Sequence, residues 1–408
     1  MNTKIRLTLM NFLQYAVWGA WLISLGAYLG NTLQFDGPQL GSFFATMGIA
    51  SLFMPAVMGI IADRWIPAQR LLGLCHLFAA GFITLAATRT DYNSLYTLVL
   101  LSVMFYMPTI ALSNSVAYNA LEKAGLDTVT HFPPIRVWGT VGFICAMWVV
   151  DLGKMGLSAT QLYFSATLGL ILGLYSFTLP NCPINRSGGG KSIVDLLGLR
   201  AFALFKQRKM AIFFIFSMLL GMSLQITNAF ADGYIKSFGD TGIHGAKYLG
   251  TFGVEHSTIL ISLSQISETL CILLIPFFLK RFGIKRVMLI AMFAWVLRFA
   301  LLGAGNPGPG VWMFILSMIV YGVAFDFFNI SGSLFVEKET SAAIRSSAQG
   351  VFMIMTNGLG ALIGSYLAGW VVNHYGWPLS WYLFAGFSLV VAIVFAVIFK
   401  YKHDPNRI

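Results

Sequence analysis

The chain alternates long apolar stretches with short polar breaks. Apolar runs at 6–29, 38–62, 70–89, 95–121, 132–151, 160–180, 210–236, 256–279, 286–305, 311–336, 345–373 and 379–400 each have the length of a membrane-spanning helix. The hydrocarbon core of a bilayer is about 30 Å thick, and about 20 helical residues cross it. The spacing therefore predicts an all-α integral membrane protein with twelve transmembrane helices and no large soluble domain. Residues 1–180 form a first six-helix half, 181–209 a cytoplasmic linker and 210–408 a second six-helix half. The linker carries Ser187-Gly188-Gly189-Gly190-Lys191 and a basic end, and Ile193 to Phe205 reads as an interfacial helix. The first apolar run has a short basic start and no small-residue cleavage motif, so it reads as a retained helix. Pro108 falls mid-span in the fourth helix, where it bends the helix, and Pro133 and Pro134 fall near the first turn of the fifth.

Composition excludes a soluble protein. Hydrophobic residues make up 57% and charged residues 10%, and the mean hydropathy is +0.77. The net charge of +11 points at first to a polyanion. Its distribution says otherwise. Lys and Arg cluster at Lys4/Arg6, Arg64/Arg70, Arg186 to Lys209, Lys280 to Arg286 and Lys400 to Arg407, all in alternate loops, while Arg89, Lys154, Lys236 and Lys247 fall in the other set. This positive-inside bias places both termini and the linker in the cytoplasm, in a multi-pass protein of the cell inner membrane. The expected surroundings are lipid, not nucleic acid. Cys75, Cys145, Cys182 and Cys271 are scattered without C-x-x-C spacing, so neither a disulfide framework nor a metal site is expected. No metalloprotease, Ser/His/Asp or phosphate-loop motif is present, which argues against an enzyme, a cofactor and ATP-driven transport. The chain is expected to work as a monomer.

The chemistry lies in polar residues inside the spans. Asp326 sits near the middle of SMIVYGVAFDFFNISGSLF, Ser317 to Phe335. A carboxylate at the bilayer centre costs roughly 2.5–3.5 kcal/mol on insertion scales, so it is kept for a partner or a cavity. Asn329 shares its helix face, and Phe325, Phe327 and Phe328 surround it. Three more same-face pairs occur: Arg136 with Thr140, Gln225 with Asn228, and Gln265 with Glu268. A lone polar residue in a span is often glue between helices. Four pairs on four helices point to a binding cavity.

Amides of Gln225, Asn228 and Gln265 each offer a donor and an acceptor. With Thr140 and Arg136 they suit a neutral, polyhydroxylated, planar substrate better than a phosphate. Phe143, Tyr321 and Phe325 offer ring faces, although at 15% aromatic content most rings face lipid or core. Burial favours a neutral carboxyl and a nearby cation such as Arg136 favours a charged one. An acid balanced between the two suits proton coupling, and spacing does not choose between Asp326 and Glu268. Arg298 reads as a structural contact, His76 as a packed histidine, and Asp232 with Tyr234 as a possible gate at the outer end of the seventh helix.

The halves look like repeats. Pro55 to Trp65 closes the second helix and Pro276 to Arg286 the eighth, each a helix end followed by a basic turn. Six plus six helices around a basic central loop resembles the major facilitator superfamily, in which the substrate lies between halves near the midplane. Gly59, Asp63 and Arg64 resemble that superfamily's loop 2–3 motif, without its following glycine and arginine pair.

Longer blocks are more specific. FPPIRVWGT (132–140), AIFFIFSMLLGMSLQITN (211–228), SQISETLCILLIPFFLKRFGIK (264–285), SMIVYGVAFDFFNISGSLFVEKE (317–339) and IRSSAQGVFMIMTNG (344–358) resemble the nucleoside:proton symporters of that superfamily. The resemblance runs over essentially the whole chain and departs from Phe238 to Glu255 and at 373–379. It implies proton-driven uptake of purine and pyrimidine nucleosides, with xanthosine a candidate among them, by alternating access. It also implies that Arg136 and Thr140 contact substrate from the first half, and that Gln225, Asn228, Gln265 and Glu268 hold base and ribose from the second. Phe143, Tyr321 and Phe325 then line the pocket, and Asp326 is the acid of proton coupling. The competing readings are a proton-coupled sugar permease of the same fold and a non-transporting membrane receptor.

Overall fold

The structure, a computed structural model, describes residues 2–182, 184, 199–241, 246–340 and 345–401. Helices follow one another through the described residues: α1 (Thr3–Gly19), α2 (Gly37–Arg64), α3 (Ala68–Ala86), α4 (Tyr92–Lys123), α5 (Thr128–Leu152), α6 (Thr160–Ser176) and α7 (Arg208–Ser237). A 48-residue helical rod, Ser257–Ala304, comes next. At about 1.5 Å per residue it would be more than twice as long as the hydrocarbon core is thick. Gly283 divides it, with φ 74° and ψ 166°, a conformation glycine adopts without steric cost. The rod is therefore α8 (257–282) and α9 (284–304). Then come α10 (Val311–Glu339), α11 (345–375) and α12 (Leu379–Ile398).

Nine of the described helices, the divided rod counted once, are long and apolar enough to cross a membrane. Dividing the rod adds one. α1 and α6 have 17 residues each and fall just short. The expected first span, 6–29, is in fact α1 followed by turns, a short helix at Leu25–Ala27 and a π-helical segment at Tyr28–Thr32.

Three further details differ from expectation. Pro133 and Pro134 do not open α5; they lie inside it, because the helix begins at Thr128. The start is fixed by Asp127, whose carboxylate accepts from the Thr130 N–H at 2.8 Å and from the Thr130 hydroxyl. The linker helix expected over Ile193 to Phe205 lies partly outside the described residues, and Leu199–Lys206 is a 3₁₀ helix. In α11, residues Ile354–Gly360 widen into a π-helical turn.

The chain divides into two compact units, Met1–Phe35 with Thr46–Leu197, and Asp36–Ala45 with Gly198–Ile408. The start of α2 joins the second unit because its glycines allow contact with α11: a Cβ at Gly37 would lie 2.2 Å from the Gly369 carbonyl oxygen. In the first unit, Leu7, Met10, Leu72, Cys75, Val116, Leu121 and Leu172 bring α1, α3, α4 and α6 around one core. α1 meets α5 at backbone contact, since a Cβ at Gly142 would lie 2.1 Å from the Phe12 carbonyl oxygen. The second unit is packed by rings: Phe213 meets Phe335 at 4.6 Å and Phe352 at 5.4 Å, and Tyr234 meets Trp377 at 4.9 Å and Trp381 at 5.4 Å.

Candidate functional site

The close α1–α5 contact positions the polar groups of the first unit. The Arg136 guanidinium lies 3.9 Å over the ring of Tyr15. A cation–π contact at a half-buried guanidinium is worth about 1 kcal/mol and fixes the plane of the guanidinium. Thr140, one turn on, is half-buried. Phe143 is buried and meets Trp18 edge-on at 6.4 Å, and Trp18 in turn meets Tyr106 at 5.7 Å. The structure thus joins Arg136 and Phe143 to two aromatics of α1 that sequence reasoning did not assign to the site.

Beneath these rings runs a buried polar chain whose donors can be read in order. The Thr109 hydroxyl donates to the Tyr106 carbonyl at 2.5 Å, so it accepts from the Gln14 amide N–H at 2.7 Å. The Gln14 carbonyl oxygen then faces His76 Nε2 at 2.8 Å, which must be the donor. The Tyr106 hydroxyl donates to the Gln14 backbone carbonyl at 2.7 Å. His76, Gln14 and Thr109 are all fully buried. His76 is a packed histidine that ties α3 to α1, as expected from the sequence.

The second unit gathers the remaining groups around α8 and α10. These helices touch where a Cβ at Gly322 would lie 2.5 Å from the Ser267 carbonyl oxygen. The Ser267 hydroxyl also donates to the Ile319 carbonyl. Next to this contact stand Glu268 on α8 and Asp326 on α10, one turn beyond Gly322, and the two carboxyls interact electrostatically. Asp326 is buried, and its Oδ2 has no hydrogen-bond partner among the described residues. Tyr321 lies within hydrogen-bonding reach of Gln265 and within the field of both acids. Its ring stacks on Phe325 at 5.7 Å and 9° and meets Trp295 edge-on at 6.0 Å.

Arg298 of α9 is the cation of this cluster. It is buried, donates from Nη1 to the Ser317 carbonyl at 2.6 Å and lies 4.7 Å over the Tyr321 ring. The sequence makes it a structural contact, and the structure adds that its contact is with a ring of the candidate site. The signal was available: an ionisable side chain in mid-membrane is a functional candidate by default. On α7, Gln225 is buried with its Oε1 unpartnered and Asn228 is half-buried. Four residues on, Asp232 is enclosed differently. It pairs with Lys236 at 2.7 Å and accepts from Ser257 at 2.6 Å and Thr258 at 3.1 Å, which pins α7 to α8.

The helix arrangement and these groups can be set beside known proteins. The profile of the nucleoside H+ symporter family matches residues 1–404. The chain belongs to that family. It is 50% identical over 410 residues to the nucleoside permease NupG of Escherichia coli, covering 99% of this chain and 97% of that one. It is also 50% identical over 415 residues to the xanthosine permease of Escherichia coli, covering 100% and 98%. A crystal structure of the nucleoside transporter NupG superposes with a TM-score of 0.91 at 50% identity, over 98% of this chain and 100% of that one. As a member of the family the chain is a proton-coupled nucleoside symporter, with the major facilitator fold expected from its sequence. It is a multi-pass membrane protein of a transporter family.

Proposed function

We propose that the chain carries purine and pyrimidine nucleosides, xanthosine among them, inward across the inner membrane by alternating access. Both termini face the cytoplasm, the working unit is a monomer, and no chemical step is catalysed. Residues 1–180 and 210–408 act as the two halves, joined by 181–209. The observation that carries the mechanism is the α8–α10 contact, which brings the two acids Glu268 and Asp326 beside the amide and rings of Gln265, Tyr321 and Phe325.

In this reading Arg136, Thr140 and Phe143 bind substrate from the first half. Gln225, Asn228, Gln265, Glu268, Tyr321 and Phe325 bind it from the second. Amides and a hydroxyl match a ligand with several neutral donors and acceptors, and the stacked Tyr321 and Phe325 offer a flat face to a ring. Asp326 carries the proton-coupling role with Glu268. The unpartnered Asp326 Oδ2 can hold a proton or release it, and the neighbouring Glu268 makes that change of charge felt at a group that touches substrate. Binding and protonation are thereby linked through one pair of carboxyls. A ligand shifts a conformational equilibrium only by its differential affinity for the two states, and proton and nucleoside together supply that difference.

The test is uptake of radiolabelled uridine, adenosine and xanthosine into proteoliposomes of the pure protein, with and without an inward proton gradient and with a protonophore control. Accumulation above equilibrium that collapses with the protonophore is expected. Uptake that only equilibrates denies the coupling role to the acid pair. Uptake of maltose or sucrose in place of nucleosides contradicts the substrate class.

A further inference from the structure

A partly open cavity lies within the second unit, walled by α7, α9, α10 and α11. It is lined by Phe325, Phe328 and Trp295, and by two amide side chains, Asn329 and Asn357. Phe325 belongs to both this cavity and the Tyr321 stack, so the cavity adjoins the substrate groups already described.

Neither amide has a strong hydrogen-bond partner among the described residues. Asn329 makes no hydrogen bond among the described residues. Asn357 reaches only the Met353 sulfur, at 3.8 Å. Sulfur is a weak acceptor. Both are half-buried in membrane helices, so each amide stays accessible to a ligand that enters the cavity. By contrast Thr356, also on the wall, donates to the Phe352 carbonyl at 2.9 Å.

Backbone geometry supplies an independent sign. Asn357 lies in the π-helical turn Ile354–Gly360. Such turns place one extra residue in a helix and recur at functional sites. The turn is clamped against α7: a Cβ at Gly221 would lie 2.1 Å from the Thr356 carbonyl oxygen. The position of Asn357 is therefore set by the packing of Thr356, the residue before it, against α7.

We propose that Asn329 and Asn357 form the subsite that reads the hydrogen-bonding edge of the nucleobase, with the base lying against Phe325. This rests on the nucleoside reading above and adds the base-recognising residues to it. Two features favour base over ribose. The walls are flat aromatic faces. And an amide presents a donor and an acceptor side by side, which matches the mixed edge of purines and pyrimidines alike.

The test compares bases with riboses. In proteoliposomes, competition against labelled uridine is measured for cytidine, adenosine, inosine, N3-methyluridine and 2′-deoxyuridine. For the wild type, N3-methylation of the base is expected to weaken competition by about tenfold, the value of one lost hydrogen bond. Asn329→Ala and Asn357→Ala are expected to shift the ratios of apparent affinity among bases by about the same factor and to remove most of the N3-methyl effect. The ratio of uridine to 2′-deoxyuridine stays at its wild-type value. Equal losses for every nucleoside with all ratios unchanged overturn the proposal, as does wild-type competition by N3-methyluridine as strong as by uridine. The wild-type comparison stands even if a variant fails to fold. Should the wild type recognise no nucleoside at all, the functional reading falls and the subsite with it; recognition that ignores the base edge overturns the subsite alone.

Discussion

Gly322 of α10 lies so close to Ser267 of α8 that a Cβ on it would be 2.5 Å from the Ser267 carbonyl oxygen. The contact is backbone to backbone, and it sets the distance between Glu268 and Asp326. Gly322→Ala must push the helices apart. Overpacking of this kind costs about 1–3 kcal/mol, and the expected outcome is a lower thermal midpoint in detergent together with impaired accumulation. Gly59, in α2, has nothing within 4 Å of its Cβ position, and Gly59→Ala is expected to leave the midpoint unchanged or raise it. Equal effects of the two substitutions would contradict the role given to the α8–α10 contact.

Arg298 should matter to substrate binding as well as to stability. It fixes the far side of the Tyr321 ring through a buried cation–π contact and the Ser317 carbonyl bond. Lysine keeps the charge and loses the planar stack. Arg298→Lys is therefore expected to weaken nucleoside affinity about tenfold, on a cation–π contribution of about 1–2 kcal/mol. Equilibrium binding of labelled uridine to the folded variant measures this, and wild-type affinity contradicts it.

Gln225 and Asn228 carry the α7 contribution to the pocket. Gln225 already has an unpartnered Oε1, so removing it leaves little intramolecular bonding to lose. Gln225→Ala and Asn228→Ala are each expected to reduce affinity about tenfold, one hydrogen bond's worth, with little change in stability. Unchanged affinity in both removes α7 from the site.

Outside the membrane, Asp91 caps α4. Hydrogen bonds from the Ser94 side chain and backbone N–H, the latter at 2.8 Å, hold its carboxyl below the ordinary carboxylate range. The cap is at full strength above the unfolded-state value of about 3.9 and fades as pH falls through the lowered folded-state value. Amide exchange in the first turn of α4 should therefore accelerate as pH falls below about 4, after correction for intrinsic rates. Asp91→Asn retains a good cap without the titration. The same acceleration in that variant would assign the effect elsewhere.

Most of the fold is written in the chain because a bilayer admits few solutions. Backbone groups in lipid must pair within their own segment, so an apolar run of the right length is a helix. The break at Gly283 was legible from the basic turn around it. The π turns at Tyr28–Thr32 and Ile354–Gly360 were not, because a π turn depends on how neighbouring helices press on a segment and leaves no periodicity of its own. The start of α5 was misplaced for a local reason: the prolines drew the boundary, while the Asp127–Thr130 cap lay several residues earlier. Within the site, polar residues stood out against an apolar background. Tyr15 and Trp18 did not, since aromatics are common throughout the chain, and only the geometry over Arg136 and beside Phe143 singles them out.

The most direct measurement is made on Asp326→Asn, which keeps size and hydrogen bonding and removes the proton. Binding of labelled uridine and its accumulation into proteoliposomes under an inward proton gradient are measured on the same preparation. The predicted result is binding close to wild type with accumulation abolished, uptake stopping at equilibrium. Full gradient-driven accumulation in the variant would contradict the assignment of Asp326 to proton coupling.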